Sequence, residues 1–351
     1  MGNENGYSES LNIKSYLFYL AIFFAISAAA LYYIYIVFAE GANLELIFSF
    51  SSGIIISILV LLFFYFIFDG LRLYFVLKTL HAEISFIEIY KLVFINLFVS
   101  NITPMATGGG VAQVYFLQQK GVPLGKSSAA VVIRTLLSST MLFVSAPLIM
   151  LTNNALLALL PGKSIVLYAV LFIALYFALF YVLIFKNKII MKIVYIILHF
   201  LHSKHLLSRK RYRKMLKYIF EHLELFSEDL AYFIQGKKIF VFGSFLFTVI
   251  FLTSEFSFAF LLLQGMGYEI SFTKIISLQI IITFVMYFAP TPGASGVAEG
   301  GFSLLFAGLV AKKDIFPLLF YWRFFTKYIG IFIGIITFFL LIVKGDAESE
   351  K

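Results

Sequence analysis

The chain has no cysteine. A disulfide framework and any thiolate metal site are therefore excluded at the outset. Charge is almost as scarce: 13% of the residues are Asp, Glu, Lys or Arg, against roughly 25% in a soluble domain. Histidine is limited to five residues, none inside a stretch that reads as a membrane crossing. No nucleophile–base pair and no cluster of metal-binding acids stands out, so no catalytic residue, metal or cofactor is expected. A Gly-rich Lys-Ser/Thr phosphate loop is also missing, so energy input would come from an ion gradient or from the substrate's own gradient.

What remains is apolar. Hydrophobic residues make up 62% of the chain, with 44 Phe and 21 Tyr. No soluble core hides that much apolar surface, whereas lipid tails and head groups accommodate it. The first charges are Glu4 and Glu9, followed by Lys14, unlike the basic leader of a cleaved signal peptide. Runs long enough to cross a bilayer as helices lie at about 16–38, 47–69, 127–152, 163–185, 238–262 and 315–343.

Two further apolar stretches, 86–120 and 272–311, are interrupted near the middle. The first break reads Asn101-Ile-Thr103-Pro104, then Gly108-Gly109-Gly110. The second reads Ala289-Pro-Thr291-Pro292, then Gly293, Gly296 and Glu299. Each is followed by an arginine, Arg134 or Arg323, at 31 and 32 residues from the threonine. Each is preceded by an acid in the neighbouring span, Asp69 or Glu255, at 34 and 36 residues from it. Each arm of such a stretch, leaving out the break, is about 16 residues or roughly 24 Å of helix, too short to cross. Both stretches therefore read as re-entrant hairpins; a tilted crossing helix followed by a surface helix is the other arrangement their lengths allow.

Charge placement supplies the orientation. With the N-terminus inside, Arg72, Lys78, Lys91, Lys120, Lys126 and the basic stretch from Lys186 to Lys238 fall on the cytoplasmic side. Glu40, Glu45, Lys163, Glu269, Lys274 and Lys312-Lys313 fall outside. The excess of Lys and Arg inside places both termini in the cytoplasm. Three crossings then separate the hairpins, so the repeat is inverted. The expected fold class is an all-α, polytopic integral membrane protein of about six crossing helices plus two re-entrant helical hairpins. Its parts would be a tail (1–15), one transmembrane domain (16–343) and a second tail (344–351). The first repeat spans about 47–152 and the second about 238–343, with a cytoplasmic amphipathic segment, 187–235, between them.

Arginines at that depth need a partner or a wet cavity. One reading makes Arg134–Asp69 and Arg323–Glu255 ion pairs that brace helices; the other gathers them into a head-group site. For the second, Pro104 and Pro292 stop the helices, and the glycines leave N–H groups uncovered at the start of the next half-helix. That positive end and a forked guanidinium suit a phosphate. The binding set would then be Arg134, Arg323, Glu299, Asp69 and Glu255, with Asn101, Thr103, Pro104, Gly108, Gly109, Gly110, Thr291, Pro292, Gly293 and Gly296 from the two breaks. For the glycines, tight helix packing is the competing explanation.

The segment 187–235 alternates apolar runs with basic clusters and reads either as amphipathic helices on an anionic leaflet or as a solvated helical hairpin. His199, His202 and His205 recur every third residue and drift around a helix, which is not metal-ligand spacing. The net charge of +9 is explained by the cytoplasmic bias, so no nucleic-acid partner is expected.

The run from Asn101 to Leu117, then Gly121-Val-Pro-Leu and Arg134, resembles the first signature block of the lysylphosphatidylglycerol synthase transmembrane (flippase-like) family. Pro290-Thr-Pro-Gly293, Gly296, Glu299 and Arg323 resemble its second block. The likeness covers nearly the whole chain. Its best-understood members are bacterial and join a lipid aminoacyl transferase domain to a membrane module that moves the modified phospholipid between leaflets. No soluble catalytic domain follows Lys344 here, so the resemblance implies a stand-alone module. The chain departs at Gly110 and Gln113, where many relatives carry an acid and a base. Two functions follow: a lipid translocase working by alternating access, which is not an enzyme, and an intramembrane phosphatase or transferase acting on a lipid-linked phosphate. The expected partners are membrane phospholipids of the cell membrane, and a homodimer is compatible with the sequence.

Overall fold

A computed structural model of the chain describes residues 49–152, 164–204 and 206–349, with a few positions between 21 and 36. The first tail, most of the first expected span, Glu40, Glu45, Lys163 and His205 lie outside the described residues. Among those described, regular structure is helical and no strand occurs. The chain is an all-α polytopic membrane protein. Helices α1 (Ser52–Thr79), α4 (Leu124–Thr152) and α8 (Lys238–Gly265) are each long and apolar enough to cross a membrane. So is the continuous rod Lys312–Leu341. That rod comprises α11 (Lys312–Arg323), one wide π turn (Phe324–Tyr328) and the first part of α12 (Ile329–Ser349). Helix α12 continues beyond 343, so the last residues expected as a tail extend that helix. Apolar α5 (Ser164–Phe185) follows α4. Serines placed just before apolar runs set several starts: Ser51 Oγ accepts the Ile54 N–H, and Ser85 Oγ the Glu88 N–H.

Both interrupted stretches fold as helix, tight turn, helix. In the first, α2 (Phe86–Ile102) and α3 (Thr107–Gln119) flank a 3-10 turn at Pro104–Ala106. In the second, α9 (Phe272–Met286) and α10 (Val297–Phe306) flank one at Pro292–Ala294. At 1.5 Å per residue the longest arm is about 25 Å, short of the roughly 30 Å of hydrocarbon. The arms of each hairpin fold back on each other. Gln113 Nε2 donates to the Leu92 carbonyl at 3.1 Å, and Lys120 meets Glu88 at 3.4 Å where the first hairpin opens.

The two turns share one backbone conformation. Met105 (φ 53°, ψ 22°) matches Gly293 (φ 57°, ψ 19°), and Ala106 and Ala294 both have φ 55°. Each pair is left-handed, and each follows a Thr-Pro whose threonine is extended. Three of the four residues carry a side chain, which costs roughly 1–2 kcal/mol apiece in this region. Thr103 helps to hold the first turn: its Oγ1 donates to the Val99 carbonyl at 2.7 Å and accepts the Gly108 N–H at 3.0 Å. In the second turn Thr291 Oγ1 donates to the Ser295 carbonyl at 2.8 Å.

Helices α1 and α8, each preceding a hairpin, pack along most of their length and run antiparallel. Tyr65 stacks on Phe251, Phe75 stacks on Phe247, and Gly243 faces Phe75. Since each hairpin starts from the C-terminal end of its helix, the two hairpins enter from opposite ends of this pair. Their turns meet in the middle. One apolar core surrounds Tyr65, Phe251, Phe258 and Phe302; a second surrounds Leu73, Ile89, Phe98 and Phe338. The segment between the repeats forms amphipathic α6 (Asn187–Ser203) and α7 (Arg209–Gln235). Helix α7 packs beside the start of α4, where Leu225 and Asp229 approach Gly125.

Candidate functional site

Where the turns meet, they close a cavity of about 490 Å³. Its walls come from α1, the first hairpin, α4, α8, the second turn and the π turn, so both repeats contribute. For a space inside an apolar helix bundle its lining is unusually charged. Asp69, Arg72, Arg134, Glu255 and Lys327 all face it, with Asn96, Ser100, Asn101 and Ser138.

On the first-repeat side, Asp69 Oδ1 accepts both Arg134 Nη2 and Arg72 Nε, each at 2.5 Å. Asp69 Oδ2 and Arg134 Nε are buried without a hydrogen-bond partner. Arg72 Nη1 donates to Ser138 Oγ at 2.6 Å, and its guanidinium lies 3.9 Å from the centre of the Phe251 ring. Arg134 Nη1 donates to Gln113 Oε1 at 3.2 Å. Asp69 is 1% exposed, Arg134 5% and Arg72 8%. On the second-repeat side, Lys327 Nζ meets Glu255 Oε1 at 2.9 Å.

Arg323 is placed differently. It does not line the cavity. Its Nε and Nη2 lie 2.8 and 2.7 Å from Glu299 Oε1, and its Nη1 donates to the Gly293 carbonyl at 3.3 Å. Glu299 Oε2 accepts the Gly296 N–H at 2.5 Å at the start of α10. This carboxylate thus occupies the positive helix end where the sequence pattern suggests an anionic ligand. Arg323 and Glu299, both sealed from solvent, tie α11 to the second turn.

The expected residues therefore divide. Asp69, Arg134, Glu255, Asn101, Gly110, Thr291 and Gly293 line the cavity. Arg323, Glu299, Thr103, Pro104, Gly108, Gly109, Pro292 and Gly296 shape the turns or pack behind them. Of the two ion pairs considered, Arg134–Asp69 forms, whereas Arg323 pairs with Glu299 and Glu255 with Lys327. Gly108 and Gly109 serve close packing: a Cβ at Gly109 would lie 2.9 Å from the Asn96 carbonyl oxygen.

Three contributors are not evident from the sequence pattern. Arg72 reads as part of the cytoplasmic flank, but α1 runs on to Thr79 and buries it. Its spacing of three from Asp69 on one helix is the signal that could have found it. Lys327 is a lone charge inside an expected span. Gln113 is the first-repeat counterpart of Glu299, taking a hydrogen bond from its own repeat's arginine. Spacing from the Thr-Pro pair misses this, because Gln113 follows Thr103 by ten residues and Glu299 follows Thr291 by eight.

Short broken helices from two antiparallel halves meet turn to turn at a charged cavity, in a polytopic membrane protein whose irregular backbone is gathered inside the bundle. Comparison with known proteins gives the family. Residues 18–334 match the family model of the lysylphosphatidylglycerol synthase TM region, and the chain belongs to that family. It is also similar to a UPF0104 membrane protein from Archaeoglobus fulgidus, 25% identical over 282 residues, which covers 80% of this chain and 84% of that one.

Proposed function

We propose that the chain is a lipid translocase, with both hairpins re-entrant from opposite leaflets and both termini cytoplasmic. The observation that carries this reading is the charged cavity shared by the two turns. A head group has charged and hydrogen-bonding partners there, in a layer where isolated polar groups are costly. The cavity's exposed lining residues support it further. Met105, Thr135 and Tyr287 mark a mouth, and large apolar residues stand exposed beside it, among them Val111 and Phe288. A lipid using that opening would insert its head group and leave its chains in the bilayer. Rocking of one repeat against the other about the α1–α8 pair then exposes the cavity to either leaflet in turn. Asp69 and Glu255 hold Arg72, Arg134 and Lys327 between visits of the substrate.

The test is movement of a fluorescent phospholipid between leaflets of vesicles reconstituted with the purified chain. Arg134→Ala should abolish movement with folding preserved. Wild-type rates no faster than those of protein-free vesicles would refute the reading, and conversion of the lipid into a new product would make the chain an enzyme instead. Topology has its own test, helped by the cysteine-free sequence. Single cysteines at the exposed positions Gln119 and Lys312, at the open ends of the two hairpins and away from the shared cavity, should be labelled by aqueous reagents from opposite sides. Labelling of both from the same side would sink the inverted arrangement.

A further inference from the structure

The ionisable groups lining the cavity do not balance. Arg72, Arg134 and Lys327 face it against Asp69 and Glu255, which leaves one positive charge over. Its location is defined. Glu255 and Lys327 neutralise each other at 2.9 Å, whereas two guanidiniums share one carboxylate oxygen of Asp69. The surplus therefore sits between Arg72 and Arg134. There Arg134 Nε is a buried donor without an acceptor, and the Asn96 and Ser100 side chains line the same space.

An uncompensated cation in a low-dielectric space is costly, and it is relieved by one negative charge brought in with the ligand. A phosphate diester carries one such charge and offers oxygens suited to forked guanidinium donors. A head group in which an ammonium cancels the phosphate leaves the surplus in place. A net-cationic head group raises it to two. We infer that the cavity selects lipids of net charge minus one, held through the phosphate by Arg72 and Arg134, and rejects zwitterionic and aminoacylated, net-cationic lipids. This rests on the cavity being a lipid site and adds the class of head group it takes.

The experiment is competitive binding to the full-length purified chain, read by native mass spectrometry. The probes are phosphatidylglycerol, phosphatidylethanolamine and lysyl-phosphatidylglycerol with identical acyl chains. Phosphatidylglycerol should be retained at least about tenfold over each of the others, the worth of a single charge-assisted hydrogen bond. Arg72→Gln balances the cavity while leaving Asp69 paired with Arg134, so it should fold and bind phosphatidylglycerol and phosphatidylethanolamine alike. Arg72→Lys keeps the charge and should keep the preference, which a purely structural role for Arg72 would not predict. Equal retention of all three lipids by the wild-type chain, or a preference for phosphatidylglycerol that survives Arg72→Gln unchanged, overturns the inference. Selective binding without movement of any of the three between leaflets would uphold the charge assignment and refute translocation. Movement without selectivity would do the reverse.

Discussion

Glu299→Gln should damage this protein far more than Arg134→Gln, although both remove one charge from a buried arginine–carboxylate contact. Glu299 is 1% exposed and Arg323 is 2% exposed. Apart from the Gly293 carbonyl at 3.3 Å, the charge partner of Arg323 is that one carboxylate, at 2.7–2.8 Å. Neutralising Glu299 leaves a guanidinium sealed without its counter-charge, which costs about 3–5 kcal/mol. A weaker cap at the Gly296 N–H adds about 1 kcal/mol at most. Arg134→Gln instead leaves Asp69 paired with Arg72 at 2.5 Å, so the loss is limited to about 1–2 kcal/mol of hydrogen bonding. The assay is reversible unfolding in mixed micelles titrated with dodecyl sulfate, with the double variant Glu299→Gln/Arg323→Met closing a cycle. Removing both charges should restore at least about 2 kcal/mol relative to Glu299→Gln alone. A Glu299→Gln cost below about 1 kcal/mol, the value of an exposed pair, would refute the brace. So would a double variant no more stable than Glu299→Gln alone. The same contrast separates roles: Arg134→Gln should lose transport at near-native stability, whereas Glu299→Gln should lose both.

Two smaller changes probe the hairpins in the same unfolding assay. Met105 is left-handed and 63% exposed, so Met105→Gly sheds strain with little packing to lose and should stabilise by about 0.5–1 kcal/mol. Gly293→Ala, at the matching position of the second turn, should destabilise by about 1 kcal/mol. Equal effects of either sign would mean that the two turns are not equivalent. Gly109→Ala sets a methyl group against the Asn96 backbone and should cost about 1–3 kcal/mol by overpacking. A neutral outcome would show that the arms of the first hairpin are not in close contact.

Much of this architecture is legible from local chemistry. Apolar run length identifies the crossing helices because the bilayer has a set thickness. Proline removes a backbone donor and disfavours a helix interior. Pro147 and Pro317 are nevertheless carried inside α4 and α11, so it is the Thr-Pro pair followed by glycines that locates both breaks, at Thr103-Pro104 and Thr291-Pro292. The repeat is visible in spacing alone. Arg134 and Asp69 read as neighbours and are so in the structure.

Tertiary structure decided who pairs with whom. A side chain as long as arginine reaches several neighbours, and the one it meets depends on helix rotation and on how deeply a hairpin inserts. Neither is encoded in linear spacing. Arg323 and Lys327 stand four residues apart and would share a face of an α-helix. The π turn that begins just after Arg323 takes more than four residues to complete. Arg323 reaches back to Glu299, while Lys327 reaches Glu255 in the cavity. Arg72 looks like a solvated flank because counting charges near helix ends cannot see that a helix continues. With α1 running about two turns past Arg72, to Thr79, and packed on α8, the same residue becomes one of the cavity's charged walls.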